Sequence, residues 1–290
     1  MTRLARILQS ALVMLGIIWG DCSEVAAEIS ASDWQVTEYG QIRLISGVTA
    51  VGDKVSVPLG IQIKLKPEWK TYWRSPGESG IPPGFNWSQS RNLAKTEIYW
   101  PAPGRYTSFG LDTIGYKNEV VFPITAQVEV PGQAVSAIVN VDYAVCRDIC
   151  VPLQTRLHLQ IPAGDRSSSE HTSLIQQFTG LVPTVAGERT DASGPILKDL
   201  HISDVTGTEF LTAVVRRPPA AENYDLFVEA GDDFGFGSPT VKVQKDLNEI
   251  EFDVPVYRFR KNADLSAVPV SLTFVAGISA IVWSRTLSSD

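Results

Sequence analysis

Cysteine is the scarcest informative residue type: the 290-residue chain holds three, at positions 22, 146 and 150. So few exclude a small disulfide-stapled scaffold, and a chain of this length does not need staples to bury a core. Histidine is equally rare, with His158, His171 and His201 scattered along the sequence. His158 alternates with Leu157 and Leu159 and should face solvent, so the histidines do not assemble and a zinc site would lack two ligands. Clusters of lysine and arginine are also missing. With a formal net charge of −7, the chain does not read as a nucleic-acid binder. Long hydrophobic runs are absent from the body of the chain. The late apolar stretch 271–283 is interrupted by Gly277 and Ser279 and is too short to cross a bilayer. No short-period repeat stands out, although two tandem sandwiches allow distant structural copies.

What is present begins at the amino terminus. Arg3 and Arg6 precede an apolar stretch over residues 7–19, and Val25-Ala26-Ala27 supplies small residues for cleavage. This reads as a secretory signal covering residues 1–27, cleaved near Ala27. A retained anchor fits less well, because the apolar run is short and polar, acidic sequence follows it. Asp21 directly before Cys22 does not suit a lipidated cysteine, which follows a small residue. Export to an oxidising space is expected, leaving Cys146 and Cys150 as the mature pair.

Period-two alternation dominates the rest. Val55, Val57, Leu59, Ile61, Ile63 and Leu65 fall on one face of an extended strand. Val120, Phe122, Ile124, Ala126, Val128 and Val130 form a second run, and Val135, Ala137, Val139, Val141, Tyr143 and Val145 a third. One buried face per strand is what an antiparallel sandwich requires. Between residues 163 and 195 the texture changes. Ser167 and Glu170 have capping-box spacing, and Leu174, Ile175, Phe178, Leu181 and Val182 repeat at helical spacing before Pro183. Strand patterning then resumes to the end, without cysteine.

The pair Cys146 and Cys150 lies in DYAVCRDICVP, residues 142–152. In an extended strand, residues four apart are roughly 13 Å apart, whereas a disulfide needs Cα atoms about 4.4–6.8 Å apart. The segment must therefore curl near helical spacing if the sulfurs are to bond, and Pro152 suits the return to extended chain. Closing so short a loop stabilises by only about 2 kcal/mol, which favours redox cycling over a structural staple. Arg147 should favour a thiolate and Asp148 oppose it. Two thiolates could also hold a soft ion such as Cu(I), the alternative to thiol chemistry.

These residues resemble a known family. DYAVCRDICVP is similar to the active-site segment of the periplasmic N-terminal domain of the thiol:disulfide interchange protein DsbD, in the variant found in suppressor-of-copper-sensitivity proteins. WKTYWRSPGESGIPP (69–83) with WPAPGR (100–105), and IGYKNEV (114–120), resemble two further motifs of that variant in the same order. The resemblance covers roughly residues 34–162 and is mostly architectural over 196–289. It implies an immunoglobulin-like domain whose cysteines relay electrons to or from thioredoxin-fold periplasmic proteins, as a protein-disulfide reductase component. Copper tolerance and cytochrome c maturation are the implied settings. It places Ile114 and Tyr116 in a cap shielding the sulfurs, and makes Cys150 the partner-bonding residue, with Cys146, held deeper by its strand, to resolve. The chain shows neither the membrane spans nor the terminal thioredoxin domain of the full-length pattern, so a separate membrane electron donor is expected.

Trp69, Tyr72 and Trp73 read as scaffold aromatics, and Arg74 and Glu78 as a local pair. Gly77, Gly80, Pro82 and Pro83 read as turn formers. The whole is expected to be all-β, two tandem immunoglobulin-like β-sandwich domains joined by a short helix-containing linker. The expected divisions are a redox domain over 28–164, a helical linker over 165–195 and a second domain over 196–290. The expected function is periplasmic thiol–disulfide exchange through Cys146 and Cys150, without cofactor or bound metal. A copper-handling or purely binding sandwich, its cysteines holding Cu(I) or a structural disulfide, is the alternative.

Overall fold

The computed structural model describes residues 30–78, 80–108, 111–187, 194–216, 221 and 223–287. The signal segment 1–27, with Cys22 and the cleavage point at Ala27, lies outside the described residues. So does part of the linker, residues 188–193.

Alternation builds two β-sandwiches in tandem. In the first, a five-stranded sheet runs in the order Gln35–Val36, Gly40–Ser46, Ser56–Leu65, Glu119–Gln127, Lys95–Ile98. Facing it, a six-stranded sheet runs Cys150–Ile161, Val135–Cys146, Lys70–Gly77, Leu111–Lys117, Gly104–Ser108, with Gly84–Asn86 also paired to Val135–Cys146. All these pairings are antiparallel. Val57, Leu59, Ile61 and Ile63 from one sheet meet Val135, Ala137, Val139 and Val141 from the other in a shared core. Each of these valine, leucine and isoleucine side chains contributes about 1.5–3 kcal/mol when fully buried. Val55 and Val130 are exposed, because the strands that were to bury them begin at Ser56 and end at Gln127.

The second sandwich pairs a four-stranded sheet, in the order Thr184–Val185, Ser279–Arg285, Val270–Ala276, Tyr224–Glu229, with a five-stranded one. The latter runs Ile196–Val205, Thr208–Arg216, Glu249–Arg258, Phe234–Phe236, with Thr240–Gln244 also on Glu249–Arg258. Its separate core contains Leu211, Leu226, Phe252, Leu272, Phe274 and Trp283.

The connecting segment is not a free spacer. Its helix, Thr172–Thr179, lays Ile175, Leu174 and Phe178 on the outer face of the first sandwich, against Ile45 and Val121. A Cβ added at Gly60 would sit 2.8 Å from Val121 and 3.3 Å from Ile175, so glycine there lets the helix approach. One buried face per strand therefore fails at Glu119–Gln127, where Val120, Val121 and Phe122 are all buried. The capping box expected of Ser167 and Glu170 does not form. Residues 167–169 instead bond to the 46–49 edge: the Ser167 carbonyl accepts from the Thr49 amide at 3.0 Å and Ser169 Oγ donates to the Ser46 carbonyl. The helix starts only after His171, whose backbone N–H is satisfied by Ser169 Oγ at 3.1 Å. Past the helix, Thr184–Val185 adds in parallel to the second sandwich.

The two sandwiches share a contact. Phe227 of the second is buried in the core of the first, 5.8 Å from the Trp73 ring in an edge-on arrangement. Arg74 makes a two-pronged bond to Glu229 at 2.8 and 2.9 Å, and Arg105 reaches Asp225 at 3.1 Å. The local Arg74–Glu78 pair is thus corrected. Arg74 crosses to the second sandwich, and Glu78 accepts the Asp112 backbone N–H at 3.1 Å.

Candidate redox site

The cysteines are brought together by a hairpin, not by a helical curl. Val135–Cys146 and Cys150–Ile161 pair antiparallel with Cys146 directly opposite Cys150, and Arg147, Asp148 and Ile149 form the tip. Directly opposed residues have Cα atoms about 4.5–5.5 Å apart, inside the range a disulfide bridges. The expected curl thus gives way to a cross-strand pair. Pro152 is tolerated because Cys150–Ile161 is an edge strand of its sheet, where a missing N–H leaves no ladder bond unmade.

Both sulfurs are free thiols, with Cys146 buried and Cys150 exposed. Cys146 also faces Lys70, its cross-strand partner on the other side. Alternation along Lys70–Gly77 sends Lys70 and Tyr72 to the cysteine face and Thr71 and Trp73 inward. Thr71 Oγ1 donates to the Ala144 carbonyl at 2.9 Å, which ties this strand to the cysteine strand. Tyr72, Ala144 and Cys146 then form a small buried cluster of their own. The Tyr72 hydroxyl lies 2.9 Å from Cys150 Sγ. Against its ring packs Gly80, where a Cβ would come within 2.7 Å of the ring, so glycine at this position lets the backbone lie close on the tyrosine.

Burial pushes the Cys146 thiol up, and the neighbouring Cys150 thiol adds to the rise, while the Tyr72 hydroxyl and the Lys70 ammonium pull it back down. Burial also drives the Tyr72 hydroxyl far above its ordinary value, helped by its bonds to the two sulfurs. It therefore stays protonated and can donate to a thiolate, which stabilises the charged sulfur. Arg147 and Asp148 satisfy one another: Arg147 Nε donates to Asp148 Oδ2 at 2.9 Å, and the guanidinium lies 5.5 Å from the centre of the Trp69 ring. The cation that pulls Cys146 down is Lys70, a buried residue that the linear sequence did not single out.

Ile114 and Tyr116 are not where a cap would be. Both lie in the first sandwich core with Trp73, Tyr143 and Val145, and the Tyr116 hydroxyl donates to the Pro101 carbonyl at 2.8 Å. Residues of this run alternate, so the side chains of Ile114 and Tyr116 point into the core, on the sheet face opposite Cys146. The member of this segment on the cysteine face is Gly115, opposite Tyr72. This corrects the shielding role expected of the two residues. Tyr72, read as scaffold, is the aromatic on the sulfur. Its signal was weak, since one residue of register along Lys70–Gly77 decides between core and site. Of the histidines, His158 is exposed, His171 is buried at the helix start and His201 sits on the second sandwich beside Asp199. Among the described residues no group of three His, Cys, Asp or Glu side chains is placed to hold a metal ion. No described helix is long and apolar enough to cross a membrane.

An exposed thiol opposite a buried one, at the tip of a hairpin in an immunoglobulin-like sandwich, defines a thiol–disulfide interchange domain. Residues 46–162 match the family described as "Thiol:disulfide interchange protein DsbD, N-terminal", a stretch that holds both cysteines. Among solved structures, the chain is similar to the N-terminal periplasmic domain of ScsB from Proteus mirabilis. The TM-score is 0.71 at 20% identity, over 90% of this chain and 99% of that one. That likeness therefore extends across both sandwiches as a likeness of fold. No curated protein matches the chain.

Proposed function

We propose that the protein is a periplasmic thiol–disulfide exchange protein that cycles Cys146 and Cys150 between dithiol and disulfide, with thioredoxin-fold proteins as partners. The observation carrying this reading is the cross-strand pair itself, one sulfur buried, the other exposed and held by the Tyr72 hydroxyl at 2.9 Å. In the reducing direction the Cys150 thiolate attacks a partner disulfide, forming a mixed disulfide and releasing one partner thiolate. The Cys146 thiolate then attacks Cys150 Sγ, forming the Cys146–Cys150 disulfide and releasing the second partner thiolate. Two electrons pass to the partner, and the two protons given up by the cysteines end on its thiols. The reverse sequence loads the pair from a donor, which in this reading is a separate membrane-bound chain. Tyr72 stabilises the Cys150 thiolate by hydrogen bonding, and Lys70 lowers the cost of ionising Cys146 during resolution.

The test is mixed-disulfide trapping from a periplasmic extract. Cys146→Ala leaves the exposed sulfur without a resolving partner and should accumulate a stable adduct with a thioredoxin-fold protein, whereas Cys150→Ala should trap little. Reversed yields would exchange the roles of the two sulfurs. Absence of adducts from both variants would defeat the exchange reading.

A further inference from the structure

The outer face of the cysteine hairpin extends well beyond the sulfurs. Register places Cys146 opposite Cys150, Ala144 opposite Pro152, Asp142 opposite Gln154, Asn140 opposite Arg156 and Ile138 opposite His158, all on that face. At its far end Arg91 joins, through its bridge to Ser136. Arg91, Arg156 and His158, with Gln89, Ser136 and Gln160, line a shallow hollow of about 580 Å³ that no carboxylate enters. Neither guanidinium has an ion-pair partner among the described residues, in contrast to Arg74, Arg105, Arg147 and Arg258. In a chain of net charge −7, this concentrates unneutralised positive charge on the face that also carries the exposed sulfur.

We propose that this hollow is a docking subsite for the redox partner. It would take a carboxylate-bearing, extended segment of a partner protein whose reactive cysteine engages Cys150. The inference rests on the exchange reading above and adds to it which surface selects the partner. Six residues of strand separate Arg156 from Cys150, which is about 20 Å. That exceeds the screening length of about 8 Å at physiological ionic strength, so the arginines act by contact with the partner and not by tuning the sulfur. Asp142 lies between the two on the same face, so the partner's acidic residues should fall at the Arg156 end and not beside its cysteine. Planar guanidinium groups with free donors suit bidentate carboxylate recognition.

The experiment uses the full chain, reduced, and three disulfide probes. The first is hydroxyethyl disulfide, small and neutral. The other two are extended peptides whose cysteine is bonded to mercaptoethanol and which carry, six residues away, either two glutamates or two lysines. Reduction of each probe is timed for the wild type, for Arg91→Gln with Arg156→Gln, and for Arg91→Glu with Arg156→Glu. At low salt the wild type should prefer the acidic peptide by roughly 2- to 30-fold, the range that two exposed ion pairs supply. The Gln variant should lose that preference, the Glu variant should reverse it, and added salt should erase it. All three proteins should reduce hydroxyethyl disulfide at one rate. A preference for the acidic peptide that survives in the variants, or none in the wild type, overturns the docking subsite. Failure of every protein to reduce hydroxyethyl disulfide would instead strike the exchange reading.

Discussion

Burial sets the ionisation of Cys146, and Tyr72 and then Lys70 oppose it. Lys70 is almost wholly buried, lies directly across from Cys146, and lowers a thiol that burial raises. Replacing it by methionine keeps the stem and removes the charge. In a Cys150→Ala background, Lys70→Met should move the pH midpoint for alkylation of Cys146 upward, and Tyr72→Phe should do the same because the hydroxyl also lowers this thiol. An unmoved midpoint in Lys70→Met would show that the ammonium does not reach the sulfur. The sign also fixes a stability effect. Because the folded thiol is raised, the unfolded chain ionises first as pH climbs past the ordinary thiol value of about 8.5. The folded state then holds more protons, and the reduced protein loses stability as pH rises toward the folded value. The two cysteines were legible from their spacing and compartment. Lys70 and Tyr72 were not, because what makes them site residues is cross-strand register with a hairpin more than seventy residues further along the chain.

Among the elements, the helix Thr172–Thr179 shows how a predicted feature acquires an unpredicted task. Its apolar spacing was plain in Leu174, Ile175 and Phe178, but nothing local to it specified a docking surface on the first sandwich. That surface is made by Gly60, Ile45 and Val121, each on a different strand. Strand alternation was legible because each core face is set by the strand's own residues, whereas a second buried face is imposed by whatever packs on it. At the helix start His171 is buried, and burial and Arg43 lower it below its ordinary value while Glu170 opposes them. As pH falls below about 6.5, the unfolded chain takes up this proton before the folded one does. Stability from this group is therefore complete above that value and is lost as pH falls toward the folded value. His171→Gln should flatten this part of the stability curve, measured by urea unfolding at a series of pH values between 7 and 5. A slope unchanged by the substitution would assign the acid sensitivity to other groups.

Across the whole molecule, the two sandwiches are joined by more than chain connectivity. Phe227 belongs by sequence to the second and by burial to the first. Phe227→Ala should cost about 3–5 kcal/mol, the range for removing a buried aromatic, and the loss should appear in the unfolding of the first sandwich. Trp34, Trp69, Trp73, Trp87 and Trp100 lie in that sandwich and Trp283 in the second, so in a Trp283→Phe background tryptophan fluorescence follows the first. An unshifted denaturation midpoint would mean that the contact is incidental. The tandem arrangement was readable from two separate stretches of alternation. The contact was not, since Trp73, Arg74 and Arg105 find their partners more than a hundred residues away.

Lys70–Gly77 serves three neighbours in turn, with Lys70 and Tyr72 at the sulfurs, Trp73 in the core and Arg74 at the second sandwich. That ordering limits how the gene can change length. Inserting or deleting one codon between Lys70 and Trp73 would exchange the two faces, sending the tyrosine inward and the tryptophan to the cysteines. Beyond Tyr72 the pairing with Leu111–Lys117 already slips its register before Gly77, and an extra residue there can be absorbed as bulge. Lineages descended from this sequence should therefore vary in length after Arg74 and hold the spacing from Lys70 to Trp73 fixed.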